Sequence, residues 1–290
     1  MDSLKAKVEA IENQKKVIHI FNSKYTLDKN IMENLPTGLF GNFYSQELSF
    51  FLIDKTDFKN LENIFNRCNL RLKKIILKSF VEGVSVINNL ENTNTFFIIK
   101  IMENHSKIIF FENLALKYIQ DFNFGINIII DDISKITSIK KESIIKILLN
   151  SNFYNSEKEN ETVEKEFFKD QTFRKIKKEF ILKIANARIE EIAEVLYLKN
   201  VNTQSLLNNH TPVFLQFDKK NIYNSLEESF RTSFSKGGNF NIKYLEKIKE
   251  EKFFENIYSL VQFGWNKEAI PIIHKKKSFI VRIFDFIFNR

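Results

Sequence analysis

The chain of 290 residues holds a single cysteine, Cys68, which excludes an internal disulfide framework and suits a reducing compartment. Glycine is also scarce, seven residues in all, and none stands in a Walker A or dinucleotide-binding fingerprint. There is no GxSxG nucleophile elbow and no HExxH zinc motif. The four histidines, at 19, 105, 210 and 274, are too far apart for a sequence-local zinc site. No apolar run reaches the ~18–20 residues that a membrane-spanning helix requires. The first residues, MDSLKAKVEAIENQKK, are charged and carry no apolar h-region, so no signal peptide is expected.

Hydrophobic residues make up 43% of the chain, enough to fill a core. Lysine and arginine outnumber aspartate and glutamate 44 to 36, a net charge of +8 that favours an anionic partner. Nucleic-acid binding calls for Lys and Arg interleaved with exposed aromatics on one element, and no such stripe stands out before the C-terminus. Nucleic acid is therefore not an expected partner.

Hydrophobic periodicity and turn residues place the elements. Residues 4–15 read as a short helix and Val17–Phe21 as a strand. Leu35–Gly41 is a turn, and Leu48–Ile53 a strand. Asp57 reads as the N-cap of a helix through Cys68, with Phe58, Leu61, Ile64 and Phe65 on one face and Cys68 as a small core residue. Ile75–Phe80 reads as a strand, and Thr95–Ile101 with Lys107–Phe111 as a hairpin around Met102-Glu103-Asn104-His105. Ile128–Leu149 is helical, with Asp131-Asp132 as charges at a helix start. Residues 152–170 are a polar loop. A long helix is expected from about Arg174 to Lys199, with the stripe Ile181, Ala185, Ile189, Ile192, Leu196. Val213–Phe217 is a strand; Asn221–Phe230 and Tyr244–Val261 read as helices. His19, inside a β-run, is expected to pack rather than catalyse, and His105, in a turn, to face solvent.

The order of short motifs resembles the FtsA family of bacterial cell-division proteins. The residues concerned are Val17-Ile18-His19-Ile20, Tyr25-Thr26-Leu27-Asp28, Gly38-Leu39-Phe40-Gly41, Asn60-Leu61-Glu62 and Arg67-Cys68-Asn69-Leu70. Gly125-Ile126-Asn127, Asp132-Ile133 and Ala187-Arg188-Ile189-Glu190-Glu191-Ile192 continue the series. The resemblance implies an α/β, partial actin-like fold. Residues 1–83 would form a 1C-like α+β subdomain, 84–274 a 2A/2B-like lobe, and 275–290 a membrane-targeting amphipathic helix. Relative to the family, the N-terminal part of subdomain 1A, with its first phosphate loop, is expected to be missing.

The resemblance also implies where a nucleotide would bind and why the site is altered. Where the family has an acid, a glycine run and threonine, this chain has Lys100-Ile101-Met102-Glu103-Asn104-His105. Where the family has the Gly-Gly of its adenosine loop, it has Phe217-Asp218. Glycines at such turns let backbone N–H groups approach phosphate closely. Side chains on Met102 and Glu103 obstruct that approach, and Lys100 replaces the acid that would organise Mg²⁺ through water. No ATP hydrolysis and no cofactor are expected. The alternative is a nucleotide-binding actin-like ATPase with divergent loops, requiring ATP and Mg²⁺.

The resemblance further implies partners: the FtsZ C-terminal tail, another FtsA-type subunit or a second copy, and an anionic membrane surface at the division site. Arg174, Arg188 and Glu191 match the family's FtsZ-tail contacts. Arg188 and Glu191 are spaced i, i+3 and share a helix face. On one continuous helix Arg174 would share nearly that side, about 21 Å away.

The C-terminus carries its own chemistry. Lys275-Lys276-Lys277 precede a segment in which Phe279, Ile280, Ile283, Phe284, Ile287 and Phe288 share one helical face. It is too short to span a bilayer and suits the interface of an anionic inner leaflet. Partial burial of six such side chains yields roughly 5–8 kcal/mol before the cost of ordering the helix. Each basic residue near an anionic leaflet adds about 1 kcal/mol. The full chain should therefore sediment with vesicles containing phosphatidylglycerol, less so at high salt. Deletion of residues 275–290 should abolish this and Phe284→Glu should weaken it strongly. Equal sedimentation of intact and truncated chains would make the segment a core element.

Overall fold

A computed structural model describes residues 8, 11, 15–90, 92–149, 161–168, 172–206, 211–218, 220–236 and 241–269. The architecture is mixed α/β, as expected. The described residues divide into two compact units, one running to Leu77 and resuming at Ile257, the other spanning Lys78–Asn256.

The first unit is built on strand β1 (Lys15–Leu27), flanked by β2 (Asn30–Met32) and β3 (Tyr44–Asp54) in the antiparallel order β2-β1-β3. Its strands are longer than the apolar runs Val17–Phe21 and Leu48–Ile53 suggest, because paired backbone carries polar residues along with apolar ones. Asp28 and Lys29 both have positive φ, 48° and 73°, the geometry of a two-residue hairpin turn matched to strand twist. The Asp28 carboxylate also accepts hydrogen bonds from the Asn42 and Phe43 N–H groups at 2.8 and 2.7 Å, tying the loop before β3 to that turn. Helix α1 (Lys55–Arg67) follows β3 directly. Its N-cap is Asp54 rather than Asp57, since β3 runs straight into the helix. Cys68 closes α1 and is exposed, not a core residue.

Within this first unit, residues 74–77 and 267–269 meet β1 at a cluster around Glu268. Ala269 N–H donates to Ile20 O at 2.8 Å and Asn22 N–H to Lys267 O at 2.9 Å, so residues 267–269 pair along β1. This brings Glu268 to His19. His19 Nδ1 lies 2.6 Å from Glu268 Oε1, and its Nε2 accepts the Leu77 N–H at 3.2 Å. With Nε2 accepting, Nδ1 is the ring donor to Glu268. Lys74 Nζ donates to Glu268 Oε2 at 3.0 Å.

The second unit opens with α2 (Lys78–Asn89). The run Ile75–Phe80 is therefore not a strand; its last residues begin a helix whose inner side is closely buried. The sheet has the order β6-β5-β4-β7-β8. Strands β4 (Phe96–Ile101), β5 (Ser106–Glu112) and β6 (Ala115–Phe122) form an antiparallel meander. The expected hairpin is present, and β6 extends it through a turn at Asn113 and Leu114, both at positive φ. Helices α3 (Asn127–Thr137) and α4 (Lys141–Leu149) split the segment expected to be helical, the break falling at Ser138 in left-handed geometry. Asp131 and Asp132 lie inside α3, not at its start. After the 3₁₀ turn Lys165–Phe168 comes α5 (Lys178–Ala193), which starts after Arg174. The final turn, Glu194–Leu198, widens to i→i+5 bonding, with Lys199 N–H to Glu194 O at 2.8 Å. All five stripe residues of this helix are buried, Leu196 on that wider turn.

Helix α6 (Val201–Gln204) precedes β7 (Val213–Phe217), which pairs parallel to β4. Helix α7 (Lys220–Ser235) then leads to β8 (Ile242–Tyr244), parallel to β7. Tyr244 thus ends an edge strand, and the last described helix, α8, occupies Glu250–Phe263. One face of β4, with Phe97, Ile99 and Ile101, packs into a core shared with Ile133, Ile144, Ile189 and Phe230. The other carries Phe96, stacked on Phe111 at 5.1 Å and edge-on to Phe214 at 5.7 Å. A Cβ on Gly83 would lie 2.0 Å from the Phe111 ring, so only glycine lets α2 approach this closely.

Among the described residues no helix is long and apolar enough to cross a membrane, and no group of three His, Cys, Asp or Glu could hold a metal ion.

The Glu268 cluster gives a pH-dependent contribution of definite sign. Burial pushes the Glu268 carboxyl up, but hydrogen bonds from His19 and Lys74 outweigh it and hold it below the usual carboxylate range. A carboxyl depressed in the folded state stabilises above its unfolded value and ceases to do so as pH falls through the folded one. Glu268→Gln should lower unfolding free energy by about 2–4 kcal/mol at pH 7. The gap should shrink as the pH drops below about 4. Chemical denaturation at pH 7 and pH 3 checks this; an undiminished gap at pH 3 would mean that the carboxylate charge is immaterial.

Candidate functional site

Two places in the second unit collect the residues singled out from the sequence. The first is the sheet edge where β4 and β7 end. Their parallel register sets Lys100 beside Gln216 and Ile101 beside Phe217. The turn Met102–His105 and the pair Phe217-Asp218 therefore leave the sheet at the same edge, where open α/β sheets commonly bind ligands.

The turn is closed on itself and on α3. Met102 N–H donates to His105 O at 3.0 Å. Met102 O and Glu103 O accept from Ile126 and Asn127 N–H at 2.8 and 3.0 Å, so these groups at the start of α3 are already occupied. The Asn104 side chain accepts from Asn127 at 2.9 Å, while His105 is exposed as expected. Gly125 permits this contact, since a Cβ there would stand 2.1 Å from Met102 O. Phe217 packs edge-on against Phe230 at 4.8 Å, and Asp218 is exposed.

Lys100 lies on a strand whose other residues are all apolar. Its Nζ is 2.6 Å from Glu82 Oε1, and both side chains are about nine-tenths buried. The sequence reading missed Glu82 because it placed no helix there. A lone lysine in the run FFIIKI was the available signal, for a buried ammonium demands a counter-charge.

The second place is a groove of about 310 Å³ between α3 and α5. Ile136, Ile184 and Ala187 supply its apolar lining, and Asp132, Lys183, Arg188 and Glu191 its charges. Arg188 and Glu191 both line it, and Arg188 Nη1 donates to Glu191 Oε2 at 2.6 Å. Arg188 Nε donates to Asp132 Oδ2 across the groove. Lys183, 70% exposed, meets Glu179 at 2.5 Å one turn earlier, and this hydrogen bond holds the Glu179 carboxyl below its usual range.

Arg174 does not join them. It is exposed in the irregular stretch 172–176, ahead of the helix, so the about 21 Å helical spacing does not apply. Asp132 and Lys183 were not foreseen at this site. The sequence alone suggests a helix-start charge for Asp132, and only the packing of α3 on α5 reveals its partner. The expected membrane helix 275–290, with Lys275, Lys276, Lys277, Phe279, Ile280, Ile283, Phe284, Ile287 and Phe288, lies outside the described residues.

No protein-family model matches the chain. Cell division protein FtsA of Neisseria meningitidis serogroup B (strain ATCC BAA-335 / MC58) is 24% identical over 193 residues, covering 66% of this chain and 47% of the relative. The chain is thus similar to FtsA, in line with its motifs, and the match spans about half the length of that relative. Among solved structures, MreB5 of Spiroplasma citri is 15% identical with a TM-score of 0.45, covering 72% of this chain and 65% of its own. The PilM-PilN type IV pilus biogenesis complex gives 6% identity and a TM-score of 0.40, over 91% and 71%. The apo ParM protein of pSK41 gives 13% and 0.40, over 65% and 50%.

Proposed function

We propose that this chain is a cell-division adaptor of the FtsA kind, which binds the FtsZ C-terminal tail in the α3–α5 groove and works without ATP hydrolysis. The similarity to FtsA over 193 residues carries this reading. The same adaptor would attach to the cytoplasmic face of the inner membrane through residues 275–290 and meet another FtsA-type subunit, or a second copy, through its first unit.

The groove supports the peptide role on chemical grounds. An apolar lining with charges of both signs suits a short amphipathic segment. Arg188 spends two of its five donors on Asp132 and Glu191, leaving others for a peptide carboxylate. Any such carboxylate competes with two resident ones, so the tail should bind weakly. Exposed Lys183 offers a second cation, and exposed Arg174 acts only at longer range.

Two features support the absence of hydrolysis. Lys100 stands where the family's acid would be and is neutralised by Glu82. Phe217 fills the place of an adenosine-loop glycine and packs on Phe230.

Fluorescence anisotropy with an FtsZ-tail peptide tests the first part. Arg188→Glu combined with Asp132→Lys preserves an ion pair while reversing the cation, and should weaken binding about tenfold or more with little change in melting temperature, a loss on the order of 1.5–3 kcal/mol. Arg174→Glu should cost less. Unchanged affinity in the swapped variant would remove the groove from the FtsZ contact.

Calorimetry with ATP and Mg²⁺ tests the second. No saturable binding is expected at micromolar nucleotide. Micromolar binding would favour the alternative, an actin-like ATPase with divergent loops.

A further inference from the structure

A cavity of about 400 Å³ in the second unit lies between the C-terminal half of α2 and the chain from β8 into the first turn of α8. Lys247, Lys249 and Lys252 line it, with Glu246 as the one carboxylate among the lining residues. Among the described residues Lys247 and Lys249 have no carboxylate partner, whereas Lys252 meets Glu255 at 3.2 Å. Helix α8 begins at this wall, and the first-turn N–H groups of a helix lack intrahelical acceptors. Glu250 and Glu251 in the same turn temper the field.

The independent observation comes from the opposite wall. Ser85 lines the cavity from α2 and is only 1% exposed, yet its hydroxyl has no hydrogen-bond partner among the described residues. A buried helical serine ordinarily bonds back to the carbonyl one turn earlier, and a dry, unpaired hydroxyl is unusual. Asn89, one turn on along α2, adds a polar amide to the same lining. The cavity therefore combines a buried hydroxyl with two ammonium groups that form no ion pair among the described residues, the donor set that a compact oxyanion satisfies.

We propose that this cavity binds a phosphate group, from a soluble phosphate compound or a phospholipid headgroup. A phosphate oxygen would accept from Ser85, and the remaining oxygens would meet Lys247 and Lys249. The proposal is independent of the α3–α5 groove and of the β4–β7 sheet edge.

Inorganic pyrophosphate titrated into the full chain at low ionic strength by isothermal calorimetry provides the test. Saturable one-site binding is expected. Lys247→Ala with Lys249→Ala, both surface changes, should weaken it at least tenfold. Ser85→Ala should weaken it about threefold while leaving the far-ultraviolet circular dichroism unchanged. Absence of saturable binding, or lysine-variant binding equal to the parent's, overturns the site. Full binding by Ser85→Ala also overturns it, because only a diffuse surface field would remain. Competition by monomeric dihexanoyl-phosphatidylglycerol, compared with glycerol phosphate, identifies the source. Tighter competition by the lipid assigns a headgroup, and equal or weaker competition a soluble phosphate.

Discussion

Strand β4 has no solvated face, for all six residues from Phe96 to Ile101 are buried. A strand alternates its side chains, so both sides need cover. Phe97, Ile99 and Ile101 draw the helical layer onto one side, and Phe96 with its aromatic neighbours meets α2 on the other. Lys100 belongs to that second side. An unpaired ammonium there would cost several kcal/mol, so α2 must present Glu82. Gly83, next in sequence, gives the clearance for Phe111 that this rotation requires. One polar residue in an apolar strand thereby fixes how a helix sits.

The same logic governs the α3–α5 groove. The apolar stripe of α5 and Ile129, Ile130 and Ile133 of α3 are buried, which leaves Asp132 and Arg188 at the edge of the packed surfaces. There they are partly desolvated, and their pairing is worth more than that of a fully exposed pair. The groove is consequently near electroneutral in the isolated chain. Any charged ligand entering it would have to rearrange these pairs, at a cost in affinity.

Much of the element order was legible from periodicity. The hairpin of β4 and β5, the stripe of α5 and strand β7 follow from repeats of two and about 3.6 residues, which backbone geometry imposes locally. The failures also have causes. The apolar run Ile75–Phe80 is too short to separate strand from helix, and the helix in fact begins within it. β6 carries the polar residues Lys117, Gln120 and Asp121, which interrupt the apolar alternation that marks a strand. Arg174 shared a charge pattern with Arg188 but not its helix.

By itself the sequence determined the α/β class, most apolar stripes and the similarity to FtsA. These depend on side-chain type and on spacing along the chain. Tertiary structure alone decided which charges are partners. Lys100 finds Glu82 across 18 positions, Arg188 finds Asp132 across 56, and His19 finds Glu268 across 249. Local spacing carries no record of such separations. They arise only when packing has closed the intervening chain, and desolvation then makes each pairing obligatory.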